Sequence, residues 1–273
     1  MDDITNQGGE RFGAAPRTDQ LVNRAWREAR RGAAPSPEKV AMLIARDLVR
    51  QIGTEQVKTG DPLPSEVEMA NSYRVGRTSI REALRIMEVQ GLLSIKTGPG
   101  GGPTVKEPTS ADAGRMLSMH LNVRNCTFGE LAAARLELDP VLARQAAENR
   151  TTESLERLRD IVAMMENIPS NNNAEWARTA SMFNAIMAAM SGNGVLALMS
   201  SSLRAIYAER IGSIQYTPKI RQNSLVSYRK IIDAISKQDA HLAHNSTHEL
   251  ISRALKQMSR LYPEILQAVV DWR

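Results

Sequence analysis

The chain has 273 residues, of which 42% are hydrophobic and 24% are charged, as is typical of globular proteins with one or two domains. It contains no apolar run long enough to span a membrane and no apolar signal segment near its N-terminus, and Cys126 is its only cysteine. A membrane protein, a secreted protein, a disulfide framework and a cysteine-based zinc site are therefore not expected, and we predict a cytoplasmic protein. The net charge of +5 is compatible with a polyanionic partner.

Residues 1–33 form a polar, weakly patterned N-terminal arm whose last part is basic, with arginines at Arg24, Arg27, Arg30 and Arg31. We predict that this arm is flexible. Its composition is compatible with a disordered tail or with an accessory arm or helix that contacts DNA, and the sequence does not decide between the two.

Two helices separated by a turn-rich connector are predicted next. Apolar residues at helical spacing predict the first helix over residues 36–53. Residues 54–64 contain several turn-forming residues and are not expected to be helical. A short second helix is predicted over residues 65–73, where Ser65 and Glu68 have the spacing of a capping box.

A third helix and a β-hairpin follow. The helix is predicted over residues 78–90, with Ser79 and Glu82 as a second capping box. Two β-capable runs, LLSIK and PTVKE, flank the glycine-rich turn TGPGGG and predict the hairpin. Three helices and a hairpin form a small domain, which we place at residues 34–108.

The remaining residues, 109–273, contain only helical patterns and no alternating β pattern. The predicted helices cover residues 111–121, 128–149, 152–167, 174–190, 194–211, 219–237, 240–261 and 263–272. Thr127 and Glu130 form another capping box. We therefore predict a mainly α protein, in which an all-α antiparallel helical bundle follows the small N-terminal domain.

The pattern with the clearest chemistry is RVGRTSIREALR, residues 74–85. Its arginines are spaced three, four and four residues apart, at Arg74, Arg77, Arg81 and Arg85. On a helix the last three share one face, opposite the apolar side chains of Ile80, Leu84 and Met87. Guanidinium groups bind phosphate or a guanine edge, and a glycine-rich hairpin can reach the DNA backbone, so the arrangement indicates a winged helix-turn-helix. A solvated basic helix face is the alternative.

Residues 60–105 resemble the DNA-binding domain of the GntR family of bacterial transcription regulators. The family pattern is a Leu-Pro-Ser-Glu start, then Val-Ser-Arg-Thr-x-Val-Arg-Glu-Ala-Leu, then Glu-x-Gly-Leu and a glycine-rich wing. The positions that match are Leu63, Pro64, Ser65, Glu66, Val75, Arg77, Thr78, Arg81, Glu82, Ala83, Leu84, Gly91, Leu92, Gly98 and Gly100.

The resemblance implies that Arg77 and Arg81 read bases or phosphates, that Thr78 and Ser79 contact phosphate, and that Gly98 lies at the wing tip. The full predicted DNA-binding set is Ser65, Arg74, Arg77, Thr78, Ser79, Arg81, Arg85, Lys96, Thr97 and Gly98. Two positions depart from the family pattern. Gly76 replaces the usual Ser or Thr, and Val67 stands where many members place an arginine that reads DNA. We expect one contact to be missing and the operator to differ from the common family sequence.

The helical region resembles the FadR-type ligand-binding domain, also called FCD, over most of residues 110–255. The segments that carry this resemblance are residues 135–147, 183–196 and 228–243. It implies a homodimer and a small-molecule effector bound within the bundle.

Many FadR-type domains hold a divalent metal with one Asp and three His. The corresponding positions here are Ala180, Asn184, Tyr228 and Leu250, which do not form a metal site. His241, His244 and His248 share one face of a helix and have a spacing that can mimic a metal cluster, but no carboxylate is aimed at them, so we interpret them as a polar face. We predict neither a bound metal nor another cofactor.

The residues implied for effector binding are Arg135, Asn184, Arg221 and Tyr228, with Arg135 or Arg221 binding an acidic group. Without a metal we expect a larger and less charged effector, an apolar carboxylate or acyl compound. Four methionines form either an adaptable apolar wall for it or part of the core, and these are Met182, Met187, Met190 and Met199.

The sequence therefore predicts a ligand-responsive transcription regulator that binds double-stranded DNA as a dimer at a short palindrome. Repression is the commoner outcome in the family. A non-specific architectural or interaction protein is the alternative. An enzyme is not expected, because the sequence shows no phosphate-binding loop after a strand, no nucleophile motif and no pair of catalytic carboxylates.

Overall fold

The computed structural model describes residues 37–54, 57–96, 98, 101–210 and 215–272. Contacts divide the chain into two compact units, of which one ends at Thr109 and the other begins at Ser110. The predicted arm over residues 1–33 and the first residue of the first predicted helix, Ser36, lie outside the described residues. Among the described residues, no helix combines the length and the apolar character that a membrane span requires.

The N-terminal unit contains three helices and a two-stranded antiparallel hairpin, as predicted. These elements are α1 (Pro37–Gly53), α2 (Glu66–Tyr73), α3 (Arg77–Val89), β1 (Leu93–Lys96) and β2 (Gly102–Val105). In the hairpin register, Leu93 is opposite Val105, and both side chains are buried. The hairpin thus adds its apolar face to the core that the helices form.

The core of the N-terminal unit lies between α1, α3 and the hairpin. On α1 the buried residues recur at helical spacing, and Ile44 and Leu48 are almost fully enclosed. On α3 the buried residues Ile80, Leu84 and Met87 form the facing stripe. Because both stripes follow the helical period, the two helices pack along their length and bury one face each.

The capping box predicted for α2 is confirmed, whereas the one predicted for α3 is wrong. The Ser65 hydroxyl accepts a hydrogen bond from the Glu68 N–H at 3.3 Å, and the Glu68 carboxylate accepts one from the Ser65 N–H at 2.7 Å. Helix α3 begins one residue earlier than predicted, with Gly76 as its N-cap and without a side-chain cap. Ser79 is therefore inside the first turn, where its side chain is buried.

The connector before α2 extends the hairpin. The Gly60 N–H donates to the Val105 carbonyl at 2.9 Å, and the Leu63 N–H donates to the Pro103 carbonyl at 2.8 Å. The sequence predicted only that this segment is not helical. Its pairing with β2 depends on residues that are distant in the sequence, which a local pattern does not reveal. At the other end of the hairpin, a Cβ on Gly101 would overlap the Lys96 carbonyl oxygen, so that only glycine fits there.

The C-terminal unit is an all-helical bundle, as predicted. Its helices are α4 (Ser110–Val123), α5 (Phe128–Glu148), α6 (Thr152–Glu166), α7 (Asn173–Met190), α8 (Gly194–Arg210), α9 (Pro218–Ser236), α10 (Ala240–Leu261) and α11 (Pro263–Gln267). Helix α5 packs against α7, α8, α9 and α10. The capping box of Thr127 and Glu130 at the start of α5 is confirmed.

The last helix is shorter than the predicted span of residues 263–272. After α11 the chain becomes extended, and Val269 forms a β-bridge with Thr127. The Val270 N–H donates to the Cys126 carbonyl at 2.9 Å, and the Val270 side chain is fully buried. The pairing with the start of α5 competes with helix formation at this end of the chain, and sequence periodicity cannot detect it.

A buried polar network joins α1 to the end of α2. The Asp47 side chain is 4% exposed, and one of its oxygens accepts a hydrogen bond from the Tyr73 hydroxyl at 3.0 Å. Arg50 and Gln51 also bind this carboxylate. Burial, followed by the charge of Asp47, raises the pKa of Tyr73 well above its usual value, so the hydroxyl remains a donor at neutral pH.

We expect Tyr73→Phe to lower the free energy of opening of α1 and α2 by about 1–3 kcal/mol, because the substitution removes a donor from a buried carboxylate. Amide hydrogen exchange of peptides from these helices measures the effect. Ser94→Ala, which changes an exposed hydroxyl on β1, is the control and is expected to leave exchange unchanged. Equal exchange in Tyr73→Phe and the unmodified protein would show that the network does not stabilise this unit.

Candidate functional site

Helix α3 presents a basic face to solvent. Arg77, Arg81 and Arg85 are exposed, whereas Ile80 and Leu84 on the other face are buried. The burial of one face determines where the other face points, since residues three and four apart lie on the same side of a helix. The predicted segregation of the arginines is therefore present in the structure. Thr78, at the start of the same helix, is exposed as well.

One arginine of this row has a partner within the chain. Arg81 Nε lies 2.7 Å from a carboxylate oxygen of Glu66, and the two side chains are 68% and 35% exposed. An exposed pair of this kind contributes about 0–1 kcal/mol, which is less than the roughly 1–3 kcal/mol of a good bidentate contact to a base. Within the part of the chain that the structure describes, Arg77 and Arg85 form no ion pair.

The remaining predicted DNA-binding residues have different environments. Arg74 is exposed and adopts a left-handed conformation, with φ 55°, as the C-cap of α2. Lys96 ends β1 and is exposed, and Gly98 is exposed with a positive φ. Ser65 is exposed but caps α2, and Thr97 lies outside the described residues. The buried Ser79 is the member least suited to contact phosphate through its side chain.

The C-terminal unit contains a cavity of about 190 Å³ at the junction of α5, α7, α8, α9 and α10. For comparison, an apolar protein cavity of about 150 Å³ is large enough to bind benzene. Aromatic side chains form much of its wall, and they are Trp176, Tyr207, Tyr216, Tyr228 and Tyr262. The cavity therefore combines a large apolar surface with a few polar groups, as small-molecule sites usually do.

Three of the four predicted effector-binding residues line this cavity, namely Arg135, Asn184 and Tyr228. Arg221 does not line it, contrary to our expectation. Its guanidinium group donates to the carbonyls of Pro169 at 2.9 Å and Tyr216 at 3.1 Å, and it lies 4.8 Å from the Trp176 ring centre. This arginine therefore links the start of α9 to the connection between α6 and α7.

A second arginine in the cavity wall, Arg204, was not identified from the sequence. It is 7% exposed and lies 3.3 Å from Asp139, a fully buried carboxylate. Asp139 also binds Arg135 at 3.1 Å and accepts a hydrogen bond from Ser200. Burial lowers the pKa of Arg204 to about 10, with Asp139 opposing the shift, so the group remains positively charged at neutral pH.

The sequence carried a weak signal for Arg204. Ser200, Arg204 and Tyr207 are spaced four and three residues apart and therefore lie along one stripe of α8. All three are buried in the structure. A positive charge on a stripe that also carries an aromatic residue indicates a buried cation, but the position of Asp139 on α5 was needed to identify its partner.

Arg135 has an unused hydrogen-bond donor. Its Nε is buried and has no hydrogen-bond partner among the described residues, although its Nη2 binds Asp139. Its guanidinium carbon lies 5.3 Å above the ring of Tyr207. A buried donor without an acceptor costs free energy, so an acceptor from a bound molecule would satisfy this group.

The positions that hold metal ligands in many FadR-type domains meet at the same cavity. They are Ala180, Asn184, Tyr228 and Leu250, and all four line its wall. Alanine and leucine provide no ligand atom, and the Asn184 amide nitrogen donates to the Ala180 carbonyl at 3.0 Å. These residues do not fit a divalent metal. The described residues contain no cluster of three or more His, Cys, Asp or Glu side chains able to hold one.

The hypothesis of a methionine wall is wrong for the four residues proposed. Met187 and Met190 are buried in the bundle core, whereas Met182 and Met199 are exposed, and the cavity lining includes none of them. Met258 on α10 is the methionine in the wall, where it accepts a hydrogen bond from Tyr207.

Comparison with known proteins matches two segments of the chain. Residues 41–101 match the family described as bacterial regulatory proteins, gntR family, and residues 130–253 match the FCD domain. The chain is 30% identical over 212 residues to the HTH-type transcriptional repressor NanR of Cronobacter sakazakii, covering 74% of this chain and 78% of that protein. The chain belongs to the GntR family of bacterial transcription regulators and carries a C-terminal FCD domain.

Further relatives agree with this assignment. The HTH-type transcriptional regulator Mce2R of Mycobacterium tuberculosis is 29% identical, covering 80% of this chain and 89% of that protein. The solved structure of a GntR protein from Streptococcus agalactiae has a TM-score of 0.64 at 22% identity, covering 81% of this chain and 99% of that chain. This likeness shows that the two chains share a fold.

The buried tyrosines of the cavity predict a loss of stability at high pH. Burial raises the pKa of Tyr207 to about 12, and it raises the pKa of Tyr228 as well. The unfolded chain releases these protons near pH 10, so between about pH 10 and about pH 12 the folded state holds more protons and unfolding becomes easier as the pH rises.

Urea unfolding as a function of pH, with tyrosinate absorbance as a second probe, measures this effect. We expect the Tyr207→Phe variant to show a shallower decline of stability above about pH 10, since one proton fewer is released on unfolding. Tyrosinate absorbance that rises fully near pH 10 in the folded protein would contradict the burial of these hydroxyls.

Proposed function

We propose that this protein is a ligand-responsive repressor that binds a short palindromic operator as a homodimer and responds to a small organic acid or acyl-type effector. The exposed arginine row of α3 is the observation that carries the proposal. Each dimer has two such helices, and a two-fold axis relates them as it relates the halves of a palindrome. The Cronobacter relative is named as a transcriptional repressor, which supports this direction of regulation.

The geometry of α3 supports contact with the DNA major groove. Its outer face presents Arg77, Arg81 and Arg85, which lie roughly one helical turn apart. Arginine can donate two hydrogen bonds to a guanine edge or bind a phosphate. Because the N-cap Gly76 has no side chain, the first backbone N–H groups of α3 lack a side-chain cap and are suited to bind a phosphate.

The packing of the C-terminal unit supports a response to an effector. Helix α8, which carries Arg204, packs against α4, the first helix after Thr109. A Cβ on Gly114 of α4 would lie 3.0 Å from the Ser202 carbonyl oxygen of α8, so the two helices are in close contact. A shift of α8 on effector binding would therefore be passed to α4, and its size is limited by the difference in effector affinity between the two states.

Selection from a pool of random duplexes, followed by mobility-shift titration, tests the DNA-binding part. We expect the enriched duplexes to share an inverted repeat and to bind about 10³-fold or more tighter than random DNA at physiological salt. Arg77→Ala is expected to weaken this binding by about 1–3 kcal/mol and to relax the preference at one position of each half-site.

Arg178→Ala is the matched control, because Arg178 is also an exposed helical arginine but lies on α7 of the C-terminal unit. It is expected to bind the enriched duplex like the unmodified protein. Enrichment of no sequence, together with an equal effect of both substitutions, would instead indicate a non-specific architectural protein.

A further inference from the structure

The charges around the cavity define what it can bind. Arg135 and Arg204 are the charged residues in the part of its lining that the structure describes, and both bind the single carboxylate of Asp139 behind the wall. Among the described residues of the site, two guanidinium groups and one carboxylate leave one positive charge that no other group balances. A charge in such an enclosed environment is costly without a counter-charge, and an anionic ligand would provide one.

We propose that this cavity binds a monoanionic acid with an apolar body and that Arg204 supplies the positive charge for which related domains use a divalent metal. The inference rests on the proposed function only in assigning the ligand the role of effector. The proposed site differs from the family pattern. The residues at the four metal-ligand positions line the same cavity as Arg204, but their side chains do not fit a metal.

The position of Arg204 supports this substitution of one cation for another. Its Nη2 approaches the main-chain carbonyl of Asn184 at 3.4 Å, and Asn184 occupies one of the four metal-ligand positions. Its Nη1 is held by Asp139 at 3.3 Å. The guanidinium group is thus anchored from α5 and α7 beside one of the four metal-ligand positions.

The unused donor of Arg135 completes the anion site. Its buried Nε has no acceptor in the part of the chain that the structure describes, and its Nη2 is held by Asp139. A carboxylate that accepts a hydrogen bond from this Nε would satisfy the donor and balance the charge of the site at the same time. The acid group of the ligand is therefore assigned to the arginine side of the cavity.

The rest of the wall selects the body of the ligand. Trp176, Tyr207, Tyr216 and Tyr228 contribute aromatic surface, and Leu250, Ile251, Leu255 and Met258 contribute aliphatic and thioether surface. A second carboxylate would have to be placed against this apolar surface, away from both arginines. Burying an unpaired charge there is unfavourable, so dianionic acids are expected to bind poorly.

Thermal-shift titration and calorimetry of the full chain without DNA test the proposal, with benzoate and octanoate as monoanions. Benzamide and isophthalate are the matched neutral and dianionic probes. We expect both monoanions to raise the Tm, and benzamide and isophthalate to bind at least about tenfold more weakly than benzoate. Benzoate affinity is expected to be the same in EDTA as in Mn²⁺.

Arginine variants test which residues bind the acid group of the ligand. Arg204→Gln and Arg135→Gln are each expected to weaken benzoate binding about tenfold or more. Arg150→Gln is the matched control, since Arg150 also has a buried Nε without a described hydrogen-bond partner but lies outside the cavity lining, and it is expected to retain benzoate affinity even if it lowers the Tm. If an arginine variant does not fold, the comparison of probes and the EDTA experiment on the unmodified protein still decide the question.

Three results would overturn the proposal: no Tm increase with either monoanion, equal binding of isophthalate and benzoate, or loss of benzoate binding in EDTA. None of these depends on DNA. A protein that selects no operator but binds benzoate through Arg204 would refute the proposed function and leave this inference standing. The reverse result would refute this inference alone.

Discussion

The burial of one face of α3 is the constraint on which the DNA-binding account depends. Ile80, Leu84 and Met87 are enclosed by α1 and the hairpin, so the arginines at the intervening positions must face solvent. The ion pair of Arg81 with Glu66 does not remove this residue from the row. An exposed ion pair contributes about 0–1 kcal/mol, and a bidentate base contact contributes about 1–3 kcal/mol, so DNA can replace Glu66 as the partner.

In the C-terminal unit, by contrast with the exposed arginines of α3, the charges at the candidate site are buried. Asp139 has no exposed surface, and its two arginine partners enclose it together with Ser200. Removing one partner of such a group leaves an uncompensated charge, and this makes the cluster costly to alter. Many FadR-type domains hold a metal at these positions, whereas this chain has a fixed guanidinium group beside them. The two arrangements supply positive charge by different means.

The sequence predicted the elements whose signals are local. Helix boundaries other than the end of the last helix, the capping boxes at Ser65 and Thr127, and the exposed row on α3 follow from spacing within about one or two helical turns. It failed where a residue's role depends on a distant partner. Arg221 was assigned to the cavity by resemblance but binds the connection between α6 and α7, and Arg204 was missed because Asp139 lies 65 residues away in the chain. Sequence spacing does not report such contacts.

Methylation interference on a duplex enriched from the random pool tests the central claim most directly. Guanine N7 is in the major groove and is an acceptor that arginine uses, whereas adenine N3 is in the minor groove. We predict that methylation of guanine N7 at one or more positions in each half-site abolishes binding, and that Arg77→Ala or Arg81→Ala removes this sensitivity at one of them. Binding that tolerates N7 methylation throughout the half-sites would contradict the placement of the α3 arginines in the major groove.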